Sequence, residues 1–176
     1  MKDFQLGRLT QREIVEFKRE MQKAFQYGYE IEFGRCDVPI LPEEDIDQSL
    51  DVEGAIAYAA WHEGSMVGGA IVKIDPETRH NSLELLFVKV GIQSKGLGQA
   101  IWNKIEQLHP ETKEWETFTP YFEKRNIHFY VNCCGFHIVE FFNPHHKFPP
   151  KEGDHHGGMA EEVGQYFLRF VKKMTC

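Results

Sequence analysis

Apolar residues recur along the chain with two periods, and each switch between them marks an element. Phe4-Gln5-Leu6-Gly7-Arg8-Leu9 alternates apolar and polar, the period of a half-buried strand. In Thr10-Gln11-Arg12-Glu13 a hydroxyl and a carboxylate stand three apart, the spacing of a capping box. Behind it Ile14, Phe17, Met21, Ala24 and Phe25 recur at helical spacing, which predicts a first helix running to about Phe25. The acid-rich stretch from Asp37 to Glu53, with Pro39 and Pro42, reads as a loop and a short helix. Ala55 to His62 and Met66 to Ile74 flank the turn Glu63-Gly64-Ser65 and predict an antiparallel hairpin. Leu83 to Val90 is nearly continuously apolar, as expected of a strand covered on both faces.

The second half alternates helix and strand. Ser94 to Leu108 places Leu97, Ile101, Ile105 and Leu108 on one helical face, Trp115 to Thr119 is a short strand, and Phe122 to Cys133 is a helix closed by Gly135. Phe136 to Phe142 and Tyr166 to Lys173 are the last strands, joined by a long loop from Asn143 to Gly158. This order predicts one α/β (α+β) domain over residues 1–176. Its sheet is mixed, mostly antiparallel and flanked by helices, with one central right-handed parallel β-α-β crossover. The final strand is expected to be exposed, which would permit two copies to pair as a homodimer.

Composition narrows the function. At 176 residues the chain has room for one core, and 41% hydrophobic with 27% charged residues excludes bulk disorder. No run approaches the ~18 apolar residues of a spanning helix, and Met-Lys-Asp-Phe-Gln-Leu lacks the apolar core of a signal peptide. A cytoplasmic protein without a membrane partner is expected. With 20 Lys+Arg against 27 Asp+Glu the formal charge is −7, which argues against a nucleic-acid partner. Cys36, Cys133, Cys134 and Cys176 include no C-x-x-C pair, so reduced thiols are expected, with Cys133 and Cys134 filling a helix end rather than binding zinc.

The candidate chemistry lies where the apolar strand meets the next helix, at Val90-Gly91-Ile92-Gln93-Ser94-Lys95-Gly96-Leu97-Gly98-Gln99. The first N–H groups of a helix have no internal acceptor and carry partial positive charge. Glycines let a bulky anion approach that backbone, so Gln93 to Gln99 forms a phosphate or pyrophosphate cradle, with Lys95 as an added cation. A nucleotide P-loop is excluded, because Leu97 and Gly98 stand where the Lys and hydroxyl belong. A dinucleotide fingerprint fails as well. Ile101 occupies its third glycine and a hairpin precedes the strand, although Glu116 does lie twenty residues after Gly96.

Gln93-Ser94-Lys95-Gly96-Leu97-Gly98 resembles the Q/R-x-x-G-x-G/A pyrophosphate loop of the GNAT N-acetyltransferase superfamily, and Phe129-Tyr130 followed by Gly135-Phe136 resembles its second motif. The similarity in element order runs from Phe4 to Lys173. The resemblance implies that acetyl-CoA is the cosubstrate. Its pantetheine would pair with the backbone of Leu86, Phe87 and Val88. Its pyrophosphate would meet Gln93, Ser94, Lys95, Gly96, Leu97, Gly98 and Gln99, and Asn126 would touch the cofactor. Tyr130 would protonate the departing thiolate. Two departures from the family pattern stand out: Val90 replaces a customary Pro, and Tyr130 precedes Gly135 by five residues where the family has four. One residue turns a helical side chain by ~100°, so either this helix ends in a wider turn or Tyr130 points elsewhere.

Transfer to an amine needs a neutral nucleophile, hence a proton acceptor. Glu84, on the strand that carries the acetyl group, is the first candidate and Glu116, across the cleft, the second. His128 is an alternative acid, and a backbone N–H near Val88 is the expected oxyanion donor. No metal is expected. His145, His146, His155 and His156 flank Phe148-Pro149-Pro150 on a loop read as solvated. That loop, with Phe148 and the Asp37 to Glu53 segment, is expected to select the acceptor, a small-molecule or peptide amine. A non-catalytic acyl-CoA-binding module is the rival reading.

Overall fold

The computed structural model describes residues 3–93, 96–148 and 166–175. Its strands are β1 (Gln5–Arg8), β2 (Ala55–His62), β3 (Ser65–Lys73), β4 (His80–Val88), β5 (Glu114–Pro120), β6 (His137–Phe142) and β7 (Phe167–Lys173). Its helices are α1 (Ile14–Phe33), α2 (Glu43–Asp51), α3 (Leu97–Leu108) and α4 (Lys124–His128), the last running directly into a π-helical turn at Phe129–Cys133. The strands form one sheet in the order β1-β2-β3-β4-β5-β7-β6. Only the β4–β5 neighbours are parallel among the described strands, and α3 makes the crossover between them.

Local chemistry explains these elements. The β2–β3 hairpin turns through Glu63 and Gly64, both at positive φ (48° and 77°), the conformation a two-residue hairpin loop requires. At the start of α1 the Glu13 carboxylate accepts from the Thr10 N–H at 2.8 Å, the carboxylate half of the capping box. α1 does not stop near Phe25 but continues to Phe33. Its added turns carry Tyr29 and Phe33, whose rings pack with Phe122 at centroid distances of 5.7 Å each.

The sheet separates two apolar layers. Against one face lie α3 and the π turn, burying Trp102, Trp115, Tyr130, Phe136 and Phe170. Against the other lie α1 and α2, burying Phe17, Met21, Ile46, Met66 and Phe87. β7 is not an exposed edge, as the sequence suggested. It inserts between β5 and β6, pairing with β5 from Phe167 to Lys173, and leaves β6 outermost. β5 and β6, consecutive in the chain, are therefore not neighbours in the sheet. Among the described residues no helix is long and apolar enough to cross a membrane.

α1 approaches β3 through glycine. A Cβ on Gly69 would sit 2.5 Å from Phe17 Cε2 and 2.5 Å from the Tyr58 carbonyl oxygen. Gly69→Ala should destabilise the fold by ~1–3 kcal/mol, the usual range for overpacking. Urea titration would show a lower midpoint at unchanged slope; an unaltered midpoint would mean that the α1 layer yields there.

Candidate active site

β4 and β5 are paired only at His80, Asn81 and Ser82, opposite Glu114, Trp115 and Glu116. Beyond those pairs β5 stays with β7 while β4 continues alone to Val88. The Thr117 hydroxyl bridges the start of the gap, donating to the Leu83 carbonyl at 2.9 Å. A β-bulge adds to the divergence: Leu83 and Leu85 face Val72 and Ile71 on β3, so Glu84 is the extra residue.

The wedge opens into a cavity of about 490 Å³. One wall is the end of β4, Leu86, Phe87 and Val88. The floor is Gln93 with Gly96, Leu97, Gly98 and Gln99 at the start of α3. The far walls come from Ala24, Phe25 and Gly28 of α1, and from Glu123, Arg125, Asn126, His128, Phe129 and Cys133 around α4. Nine cofactor-site residues expected from sequence thus line one cavity, and the two others, Ser94 and Lys95, lie outside the described residues.

The cradle has a definite cause. Gly96 takes a left-handed conformation (φ 73°, ψ 8°) that admits the turn before α3. The first helical bond runs from the Ala100 N–H to the Gly96 carbonyl at 3.0 Å, so the N–H groups of Leu97, Gly98 and Gln99 have no intrahelical acceptor. Gln93 fastens the turn, its Nε2 donating to the Val88 carbonyl at 3.3 Å. At Gly98 a Cβ would meet the Phe129 ring at 3.3 Å and Val88 Cγ2 at 3.4 Å, so the small residue keeps this corner open. Gln99 Nε2 donates to the Cys133 carbonyl at 2.6 Å and ties α3 to the π turn.

The π turn accounts for the five-residue step from Tyr130 to Gly135. The Cys134 N–H bonds the Phe129 carbonyl (3.0 Å), and the Phe136 N–H bonds that of Tyr130 (2.9 Å). These wide loops absorb one more residue than an α-helical end. Tyr130 points inward, is 7% exposed, and packs its ring against Phe136 and Phe170. Its hydroxyl bonds Thr117 at the apex of the wedge, and burial pushes its pKa up to about 12, so it keeps its proton at neutral pH. It lies behind the cavity wall rather than in it.

The other expected residues are dispersed. Glu84 is not among the cavity-lining residues, and its carboxylate accepts from the Ser82 hydroxyl at 2.6 Å. Glu116 pairs with Arg169 at 2.9 Å, and Arg169 also holds Glu140 at 2.9 Å. Asn126 lines the cavity and donates to the Thr119 hydroxyl at 3.4 Å. His128 is exposed at the rim, bonded to Asn132 at 2.9 Å, with Cys133 Sγ 3.8 Å away. Cys134 is buried, and burial pushes its thiol up to about 12, while Cys133 is the last residue of the π turn, packs against the core there and also lines the cavity. His146 bonds Glu140 at 2.6 Å and stacks on Phe142, Phe148 packs against Phe118 and Phe142, and His155 and His156 lie outside the described residues. Sequence reasoning missed Glu123, Arg125 and the α1 wall. Their only sequence signals were the unassigned turns of α1 and the acid just before α4.

Comparisons with known proteins agree with this architecture. The family model for the Acetyltransferase (GNAT) family matches residues 16–136. Uncharacterized protein YrkN of Bacillus subtilis (strain 168) is 44% identical over 167 residues, spanning 92% of this chain and 89% of its own. In fold the chain is similar to the ribosomal-protein-S18-alanine N-acetyltransferase of Escherichia coli (TM-score 0.70, 13% identity, 99% and 96% of the two chains covered). It is equally similar to a GNAT family acetyltransferase of Elizabethkingia anophelis solved with acetyl-CoA bound (TM-score 0.70, 14% identity, 99% and 100% covered). The splayed strand, the glycine turn and the matched family model lead to one conclusion: this chain belongs to the GNAT acetyltransferase family.

Proposed function

We propose that the protein transfers an acetyl group from acetyl-CoA to a primary amine of a small molecule or peptide by direct attack. The observation that carries this reading is the continuity of one cavity from the unpaired end of β4 to the free amides of α3. The acyl-pantetheine arm would complete the β4 edge with its own amides, much as a missing strand would. The diphosphate would take the Leu97, Gly98 and Gln99 N–H groups. The thioester then lies at the apex of the wedge, and the amine enters between α1 and α4. A backbone N–H at the end of β4 would hold the oxyanion. Tyr130, protonated and aimed at the apex through Thr117, would supply the proton to sulfur. The unpaired Cys36, Cys133 and Cys134 fit a reducing compartment, and we read the protein as cytoplasmic.

A second reading, a non-catalytic acyl-CoA-binding module, is favoured by one observation: Tyr130 is packed among aromatic rings behind the cavity wall. Thiol release from acetyl-CoA over an amine panel separates the two, since a binding module holds CoA without turnover.

Gly96→Glu should abolish CoA binding by calorimetry while circular dichroism stays native, because it adds both a side chain at positive φ and an anion to an anion site. Undiminished affinity would remove the cradle from the mechanism. Tyr130→Phe should lower kcat by ~10²–10⁴-fold, the usual worth of acid catalysis. A rate equal to that of the unsubstituted protein would make Tyr130 a packing residue.

A further inference from the structure

Given acyl transfer to an amine, on which this rests, we propose that Glu123 is the catalytic residue that takes the proton from the acceptor ammonium. Three carboxylates lie near the wedge, and their surroundings differ. Glu84 is turned to Ser82 at the bulge and does not line the cavity. Glu116 is held by Arg169 and does not line the cavity. Glu123 is the sole carboxylate among the described residues that line the cavity, and among those residues its side chain has no hydrogen bond or ion pair.

Its position suits the role. Glu123 immediately precedes α4, and Tyr130 follows seven residues later in the π turn. The Glu123 charge is felt at the Tyr130 hydroxyl. The candidate base thus lines the cavity, while the candidate acid sits behind its wall, bonded to Thr117 at the apex of the wedge. From α1 the group that acts on Glu123 is Glu32, and from α4 it is Arg125, with His128 at the rim. The π turn contributes Tyr130 and Cys133, while Leu86 to Val88 and Gly96 to Gln99 bring no titratable group. Burial raises the Glu123 carboxyl above the ordinary range, Glu32 pushes the same way, and Arg125 opposes them. A carboxylate raised towards neutrality is a better match for accepting an ammonium proton.

The step balances. One ammonium proton passes to the Glu123 carboxylate, and the freed lone pair forms the C–N bond at the thioester carbonyl carbon. The tetrahedral intermediate collapses, the C–S bond breaks, and its electron pair leaves on sulfur. Sulfur takes a proton from Tyr130, and the nitrogen's second proton restores Tyr130. Glu123 releases its proton to solvent, so ammonium and thioester give amide, thiol and one proton. Below its pKa the Glu123 carboxyl already holds a proton and cannot act, so kcat falls as pH drops through that value.

The test compares two acceptors with acetyl-CoA: benzylamine, protonated at neutral pH, and hydroxylamine, largely unprotonated there. Glu123→Gln should lower kcat for benzylamine by ~10²–10⁴-fold and abolish the acid-side fall in its pH profile. The loss with hydroxylamine should be far smaller. Glu123→Asp, which keeps a carboxylate, should recover part of the benzylamine rate, and calorimetric CoA affinity should match the unsubstituted protein in both variants. Equal losses for the two amines, an unchanged pH profile, or lost CoA affinity would overturn the assignment. So would a Glu84→Gln variant that shows these changes while Glu123→Gln does not. If the unsubstituted protein binds CoA yet turns over neither amine, the acyl-transfer reading fails and this base goes with it.

Discussion

Everything in this molecule that bears on chemistry depends on an interrupted parallel ladder. β4 and β5 hold together for three residue pairs and then part. A strand edge released inside a protein leaves N–H and C=O groups that must find other partners. Here the Thr117 hydroxyl takes the Leu83 carbonyl, the Gln93 amide takes that of Val88, and the remaining edge opens on the cavity. Across the gap β5 stays paired with β7 along its whole length, while the bulge at Glu84 shifts the register of β4 against β3. An amide-bearing ligand is the natural completion of such an edge.

The second determinant is the π turn. By widening the backbone loops at Phe129–Cys133 it accommodates one extra residue without rotating Tyr130 out of the interior. It also lays Phe129 over Gly98 and brings the Cys133 carbonyl to Gln99, so the end of one crossover helix is fastened to the start of another. Tyr130 bonds Thr117, and the Thr117 hydroxyl donates to the Leu83 carbonyl, which joins this turn to the broken ladder. A side-chain network of this kind sets the shape of the wedge more firmly than apolar contact alone would.

Much of this was readable from residue order, for physical reasons. The glycine turn, the amphipathic face of α3 and the hairpin at Glu63-Gly64 are local, and local rules describe them. The five-residue step from Tyr130 to Gly135 announced an irregular helix end, and the wider turn was one of the two outcomes it allowed. What escaped was non-local. α1 runs past Phe25 because Tyr29 and Phe33 meet Phe122, a residue about ninety positions away in the chain whose proximity no periodicity reveals. The insertion of β7 between β5 and β6 is a pairing choice, invisible to alternation patterns. Glu123 was missed for the same reason, since its place in the cavity exists only once α1 has closed over α4.

The interior position of β7 also has a consequence for biosynthesis. β6 pairs only with β7 among the described strands, and β5 pairs with β7 over seven residues but with β4 over three. Until residues 167–173 leave the ribosome, the nascent chain holds β6 without a neighbour and one flank of β5 bare. The amino-terminal antiparallel half can assemble early, whereas the half that carries the π turn waits for the last strand to thread between its two predecessors. Such late, long-range pairing slows folding and exposes strand edges in the interval. A holding chaperone would find its purchase there, on the unfinished flank of a sheet whose other side is already native.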